Sequence, residues 1–558
     1  MQKIRLLSAG GLLFLPTYLL AQSAVVPKTN PMKVYVHMMP WFQTPETLGA
    51  NNWGYHWEMN TRNPNIIDAN GEREIASNYY PLTGPYDSTD PNIIEYQMLL
   101  MKLSGIDGVI VDWYGQQGTN GDINSLLTAS NDIVNSTSTY GLQFAAMLED
   151  RFAASTSQVS ANITYLRNNY FNKSNYIRTG PSNEPLMPIF GPVTYTQPSQ
   201  WNTIMAGSPG EKIDAVPLWY QSQQLGSNAG GEFSWIYEDA GTNDHLTQQQ
   251  NFLTIQSPAL KKANSSATVM GVAYPGFNDY YTQGGTGTVI PFNPIPSNNG
   301  QTLASVLAVD AADASDMNML QLATWNDYGE GTQFEPTIQN GFTYLIQVQK
   351  FTGVSYGLSQ LEMVFQLYEE RTAYSGNNTV QAVLNQASGD INQLDFTDAA
   401  AALNQYQTVT WNGNGSNGNW SSSNWSATNI VSTNSLLFAG TKNLNTNNDF
   451  AYLTQFDGIT FAAGAGAFVL NGNPINLYGD IINNSNNLQS IGLNMSAQEN
   501  ANINAASGDI SISGVISDGL YGPTVITKIG SHMLTLSGIN TYTGGTIVGN
   551  GTLVHRPL

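Results

Sequence analysis

Between residues 33 and 324, short apolar runs alternate with stretches of helical period or with long polar loops. Lys33–Met38, Asp107–Trp113, Leu142–Leu148, Pro185–Phe190, Ala215–Tyr220, Glu232–Tyr237, Thr268–Tyr274 and Met319–Thr324 each read as a buried strand. Runs of this length without polar alternation belong to a sheet covered on both faces. Ser88–Pro91 opens a helix, with Asp90 as cap and Pro91 in the first position; Ile94, Met98 and Met101 follow at helical spacing, and Gly105 ends it. Eight strands alternating with helices predict a (β/α)8 barrel, with an open α/β sheet as the alternative. Ala215–Tyr220 and Glu232–Tyr237 lie too close together for a full crossover helix, so the fifth unit is expected to be irregular. Helices at Phe342–Phe351, Ser359–Ala373 and Thr379–Gln405 close this part.

The pattern changes near Tyr406. Runs of period two, such as 458–461, 475–479 and 533–538, are separated by Gly/Asn turns at close intervals, the pattern of an all-β solenoid whose coils each cover the edge of the next. The expected organisation is therefore a secretory signal over 1–24, a barrel domain over 25–406 and a β-solenoid over 407–558. The signal is read from Lys3 and Arg5, the apolar run Leu6–Leu20 and the small residues Ala21–Ala24, with cleavage after Ala21 or Ala24. Gly10, Gly11 and Pro16 break that run, which is shorter than a spanning helix requires.

Composition narrows the partners. Of 558 residues only 11% are charged, and the net charge is −21, which disfavours nucleic acid and anionic membranes. A surface of Asn, Ser, Thr, Gln and Gly suits an extracellular, cell-surface or periplasmic protein, monomeric, that meets a neutral polysaccharide. There is no cysteine, so disulfides, thiolate nucleophiles and Cys-bound metals are excluded. The five histidines show no metal spacing, and no metal or other cofactor is expected. The sequence 120–124 is only a weak calcium-like loop, and 284–288 lacks the lysine of a phosphate loop.

Candidate chemistry gathers at the end of the eighth strand, in Trp325–Pro336. Strand C-termini carry the reactive groups of parallel α/β sheets, and Asp327 and Glu330 are two acids three residues apart beside aromatic rings. Spacing alone allows a close pair in a turn or a wide pair on an extended chain.

Several stretches, in order, resemble glycoside hydrolase families 71 and 99: TyrValHisMetMetProTrpPhe (35–42), TrpGlyTyrHisTrp (53–57), 79–88, GlyIleAspGlyValIleValAspTrpTyrGly (105–115) and TrpAsnAspTyrGlyGluGlyThrGlnPheGluPro (325–336). These are (β/α)8 enzymes that cut α-linked glucans and mannans. GlyThrGlnPheGluPro is similar to family 99, whereas AsnAsp in place of that family's AsnGlu is similar to family 71. The resemblance implies that Glu330 is the general acid/base. Asp327 would be the base, toward the sugar's own 2-hydroxyl with retention in the family 99 manner, or toward water with inversion in the family 71 manner. Glu335 reads as a supporting carboxylate, with a catalytic role as the alternative. Substrate contacts are expected from Trp41, His56, Trp57, Tyr80, Asp112, Trp113, Tyr114, Glu149, Asn326, Tyr328 and Gln333 together with Glu335. Glu149 would accept bonds from sugar hydroxyls or pair with Arg151 or Arg178. Asp107 is assigned to a turn and Asp112 to the barrel mouth.

The last part of the chain resembles the autotransporter-associated β-strand repeat, most specifically in 528–546, which implies export and display at the cell surface. No membrane barrel follows Leu558, which leaves the route of secretion open. The expected function is a secreted glycoside hydrolase acting on α-1,3-glucan or α-mannan. The alternative is a non-catalytic carbohydrate-binding or adhesive surface protein.

Overall fold

The computed structural model describes residues 23–68, 71–238, 244–286, 293–373, 375, 378–404, 408–426, 430, 434–520 and 522–555. Residues 1–22 of the expected signal over 1–24, and the expected boundary between 406 and 407, lie outside them.

Eight parallel strands form the first domain: β1 Val34–Met38, β2 Gly108–Trp113, β3 Gln143–Leu148, β4 Glu184–Ile189, β5 Asp214–Pro217, β6 Gly231–Phe233, β7 Thr268–Ala273 and β8 Met319–Leu322. Neighbours pair in chain order from β1 to β5 and from β6 to β8, and β8 returns to β1 through Val34↔Leu320 and Val36↔Leu322. The seam between β5 and β6 is closed by single bridges, Ala215↔Ala229 and Leu218↔Phe233. There Gly230 N–H donates to Ala215 O and Trp219 N–H to Phe233 O, both at 2.8 Å. The barrel is thus closed, and the open sheet is excluded. The thin seam has a local cause: between Pro217 and Gly231 the chain makes only a short helix, Ser222–Leu225, and a 3-10 turn, Gly226–Asn228. This is the irregular fifth unit expected from the sequence.

The strands are short, apolar and buried on both faces, and their core continues into the surrounding helices. Helix α1, Pro91–Leu103, starts where Asp90 accepts the Asn92 amide at 2.8 Å and gives way at Gly105, whose φ is +72°. After the barrel, α2 Thr343–Thr352, α3 Leu358–Ala373, α4 Asn378–Asn392 and α5 Phe396–Asn404 pack on the outside. The single helix expected over 379–405 is broken in two, because Leu394 turns with φ +66°.

From Thr408 onward three parallel sheets of seven, six and four strands wind as a solenoid. Side chains alternate inward and outward, and like positions stack from coil to coil: Trp411 lies in register with Phe438, and Phe438 with Phe461 at 5.5 Å between ring centres. This core shares no residue with that of the barrel. Among the described residues no helix is long and apolar enough to cross a membrane.

Candidate active site

Beyond β8 the chain folds back on itself. Thr324 N–H donates to Thr332 O (3.0 Å), Phe334 N–H to Thr324 O (2.9 Å) and Glu335 N–H to Trp325 O (2.9 Å). Inside this closed loop Asp327 N–H donates to Thr324 Oγ1 at 2.8 Å, and Asp327 Oδ1 accepts the backbone N–H of Glu330 at 3.0 Å. Of the two arrangements the spacing allows, the molecule therefore adopts the compact turn, with one acid capping the amide of the other. Asp327 is 5% exposed and Glu330 is half-buried.

Glu335 is separate from this pair. Its Oε2 accepts the hydroxyls of Tyr86 (2.6 Å) and Tyr328 (2.9 Å), and its Oε1 accepts Gln97 Nε2 (2.8 Å). Burial pushes it up to about 7 while these donors pull it down. With every bond directed inward it serves as a buried brace under the loop. Asn326 ties the loop to the end of β1: its Oδ1 accepts Met39 N–H at 2.8 Å, and its Nδ2 donates to Met39 O at 3.0 Å and to the Tyr86 hydroxyl at 3.0 Å. Gln333 is buried as well.

Other strand ends bring more carboxylates to the mouth. Asp112, at the end of β2, is 4% exposed, and its Oδ1 has no hydrogen-bond partner. Burial and the charges of Glu149, Asp327 and Glu330 push its pKa well up, against the guanidinium of Arg151. Glu149, following β3, is held by Arg151 Nε at 2.7 Å and Nη2 at 2.9 Å, so of the two arginines left open by the sequence Arg151 is its partner. Arg178 pairs with Glu211 instead. Glu238, just beyond β6, is pushed up to about 8 by burial and by the charge of Glu330. Asp327 is raised by burial and then by Glu330. Glu330 is raised by burial, lowered by a hydrogen bond from Tyr281 (Oη to Oε1, 2.8 Å), raised by Asp279 and lowered by Arg151. Burial and the facing negative charges raise the carboxyls of Asp112, Asp327, Glu330 and Glu238 together, so these acids resist ionising at once.

The aromatic residues divide into two sets. Trp41 and His56 stack at 4.0 Å and 5° and are half-buried, and Tyr114, buried but still 9% exposed, stacks on Phe152 at 4.0 Å beside the acids Asp112 and Glu149. Burial lowers His56 to about 3, so it is neutral. By contrast Trp57 and Tyr328 are fully buried and Trp113 is 1% exposed. Trp57 donates Nε1 to Tyr86 O at 2.9 Å, Trp113 stacks on Tyr165, and Tyr328 is engaged by Glu335. The expectation that these three offer faces to a sugar is corrected: their rings fill the core beneath the loops. Tyr80 is half-buried, and its hydroxyl accepts the backbone N–H of Arg73 at 3.1 Å. Asp107 binds Lys28 and Lys33 in the turn before β2.

Sequence reasoning passed over Glu238, although it directly follows a predicted strand. It also missed Tyr281, in the loop after β7, for which the sequence carries no signal. Among the described residues no group of three or more His, Cys, Asp or Glu is arranged to hold a metal ion.

Residues 31–224 match the family model for glycosyl hydrolase family 99, a stretch that ends before Asp327. Residues 526–554 match the passenger-associated-transport-repeat. The chain is 22% identical over 329 residues to the glycoprotein endo-alpha-1,2-mannosidase of Xenopus laevis, covering 55% of this chain and 70% of that one. It is 22% identical over 358 residues to that of Mus musculus, covering 60% and 74%. The solved GH99 endo-alpha-mannosidase from Bacteroides thetaiotaomicron aligns at 18% identity and a TM-score of 0.45, over 60% of this chain and 98% of that one. The resemblance read from the sequence thus extends to the family 99 model and to curated glycosidases, and at the other end of the chain to a transport-associated repeat.

Proposed function

We propose that this family-99-like glycoside hydrolase is an endo-acting enzyme exported from the cell, cutting α-mannan or α-1,3-glucan with Asp327 and Glu330. The observation that carries the reading is the turn after β8, which holds both acids in one compact unit, Asp327 Oδ1 on the amide of Glu330. Strand-end placement and upward-shifted carboxyls support it. The curated relatives are named endo-alpha-1,2-mannosidases, which favours an α-mannoside over a glucan.

In the proposed reaction Glu330 gives its proton to the departing glycosidic oxygen as the C1–O bond breaks. Asp327 takes the proton of the reacting sugar's 2-hydroxyl as that oxygen closes on C1, so a C1–O2 bond forms while the glycosidic bond breaks and a 1,2-anhydro sugar results. Action on the sugar's own 2-hydroxyl, in the manner of family 99 that the GlyThrGlnPheGluPro stretch resembles, gives retention, whereas inverting pairs stand about 6.5 to 9.5 Å apart to admit a water. In the second half of the reaction Glu330 takes a proton from the water that adds to C1, and Asp327 returns its proton to the 2-oxygen as the C1–O2 bond opens. Trp41, His56 and Tyr114 are proposed to line the sugar path, with Asp112 and the Glu149–Arg151 pair receiving its hydroxyls. Asn326, Gln333 and Glu335 support the loop from below. The transport-associated repeat supports export and surface display.

The test is release of reducing ends from α-mannan and α-1,3-glucan by the purified protein, with proton NMR of the first-formed anomer. Reducing ends with α-anomer formed first fit the proposal. First-formed β-anomer would replace retention by inversion, and binding without any cleavage of α-linked polymers would sink the enzyme reading.

A further inference from the structure

The loop after β7 is fastened to the catalytic turn by its own backbone: Asn278 N–H donates to Glu330 O and Tyr280 N–H to Gly329 O, both at 2.8 Å. From the other side the loop after β1 clasps it. Asn60 N–H donates to Gly284 O (2.9 Å) and Thr61 Oγ1 to Gln283 O (2.7 Å), while Arg62 Nε donates to the Tyr280 hydroxyl (2.7 Å) and its guanidinium lies 5.3 Å over that ring. Arg62 is itself held by Glu74 at 2.8 Å. Between these fixed points sits Tyr281, whose amide donates to Asp279 Oδ1 at 3.0 Å and whose hydroxyl donates to Glu330 Oε1 at 2.8 Å. Gly331, next to Glu330, turns with φ +66°, and a Cβ there would lie 2.6 Å from Asn278 O, so the two loops meet without room to slide.

We propose that Tyr281 is a positioning residue that assigns the two oxygens of Glu330. Its hydroxyl occupies Oε1, which confines the transferable proton to Oε2 and leaves that oxygen for the departing glycosidic oxygen. This rests on the reading of Glu330 as the acid/base. When the C1–O bond breaks, the proton leaves Oε2 for the departing oxygen and the carboxylate that remains keeps its bond from Tyr281. When water attacks, Oε2 takes a proton from it and the starting state returns. The tyrosine keeps its own proton throughout, because burial and the charge of Glu330 push its pKa up. The clasp matters because a donor placed by a loose loop would not select one oxygen; the bonds to residues 60–62 fix the loop that carries Tyr281.

Two readouts on the full chain test this. The first needs no activity: infrared difference titration of the Glu330 carboxyl, identified by its loss in Glu330→Gln. Tyr281→Phe removes a donor to the charged form, so the titration must move to higher pH; an unmoved midpoint overturns the proposal. The second compares the polymer that is cleaved with a 2,4-dinitrophenyl glycoside of the same sugars, whose leaving group needs no proton. Tyr281→Phe is expected to lower kcat on the polymer by about tenfold or more, with KM little changed, and to have a much smaller effect on the dinitrophenyl substrate. Arg62→Ala, remote from the chemistry, is expected to show the same selectivity more weakly. Equal losses on both substrates would mean a structural role only. If the infrared shift is found while Glu330→Gln keeps full activity, the contact is real and the acid/base reading of Glu330 fails instead.

Discussion

At the scale of single residues the loop after β8 contains three acids with three different environments. Glu335 receives three hydrogen bonds from buried donors, Asp327 caps a backbone amide, and Glu330 keeps one oxygen for Tyr281 and some exposure. Environment therefore separates Glu335 from the proposed catalytic pair Asp327 and Glu330, a division that identity and spacing in the sequence left open. Truncating Glu335 to alanine strands the hydroxyls of Tyr86 and Tyr328, and a loss on the order of 3 kcal/mol is expected in denaturant unfolding. Glu238 supplies a test of the shared protons. Its carboxyl is pushed up to about 8 beside Glu330, so above that pH the wild type gains a negative charge that Glu238→Gln cannot carry. The pH–rate profiles of the two proteins are expected to diverge on the alkaline side, and coincident profiles there would remove Glu238 from the cluster. The positions of Asp112 and Glu149 at strand ends were legible in the sequence. The burial of Trp57, Trp113 and Tyr328 was not, because an aromatic next to a strand end can point into the mouth or into the wall with equal ease.

At the scale of elements, the strands were readable from their unbroken apolar runs and all eight are found within a few residues of their predicted bounds. The break at Leu394 was not legible: no Gly or Pro marks it, and the chain turns there through a positive φ at an ordinary residue. Helix α3 is tied to α1 by Arg371 and Glu95, which meet through Nε–Oε2 and, at 3.0 Å, Nη2–Oε1, with side chains only 8% and 12% exposed. A pair this buried costs more to break than it contributes when intact. Arg371→Ala is therefore expected to destabilise the barrel domain by about 3 to 5 kcal/mol, whereas replacing the exposed Glu211 opposite the half-buried Arg178 is expected to cost less than about 1 kcal/mol.

At the scale of the whole molecule, two separate cores predict two calorimetric transitions, one for the barrel with its outer helices and one for the solenoid. The sequence announced this division through its change of period and composition near Tyr406. It did not announce how the barrel closes, since single bridges at Ala215 and Leu218 leave no pattern of their own. Stability should also depend on pH. Glu335 and Glu362, ordinarily near 4.5, are each raised to about 7, and Glu238 to about 8. Between pH 4.5 and these values the native state holds more protons than the unfolded chain, so stability falls as pH rises through that window. The net charge of −21 acts in the same direction. A higher melting temperature at pH 6 than at pH 8 is expected, with a smaller difference in Glu335→Gln. The proposed catalysis depends on the two acids in the turn after β8, and one assay addresses them: hydrolysis of the cleaved α-linked polymer by wild type, Asp327→Asn and Glu330→Gln side by side. Each substitution is expected to reduce kcat by roughly 10² to 10⁴-fold with the protein still folded, and full activity in both variants would contradict it.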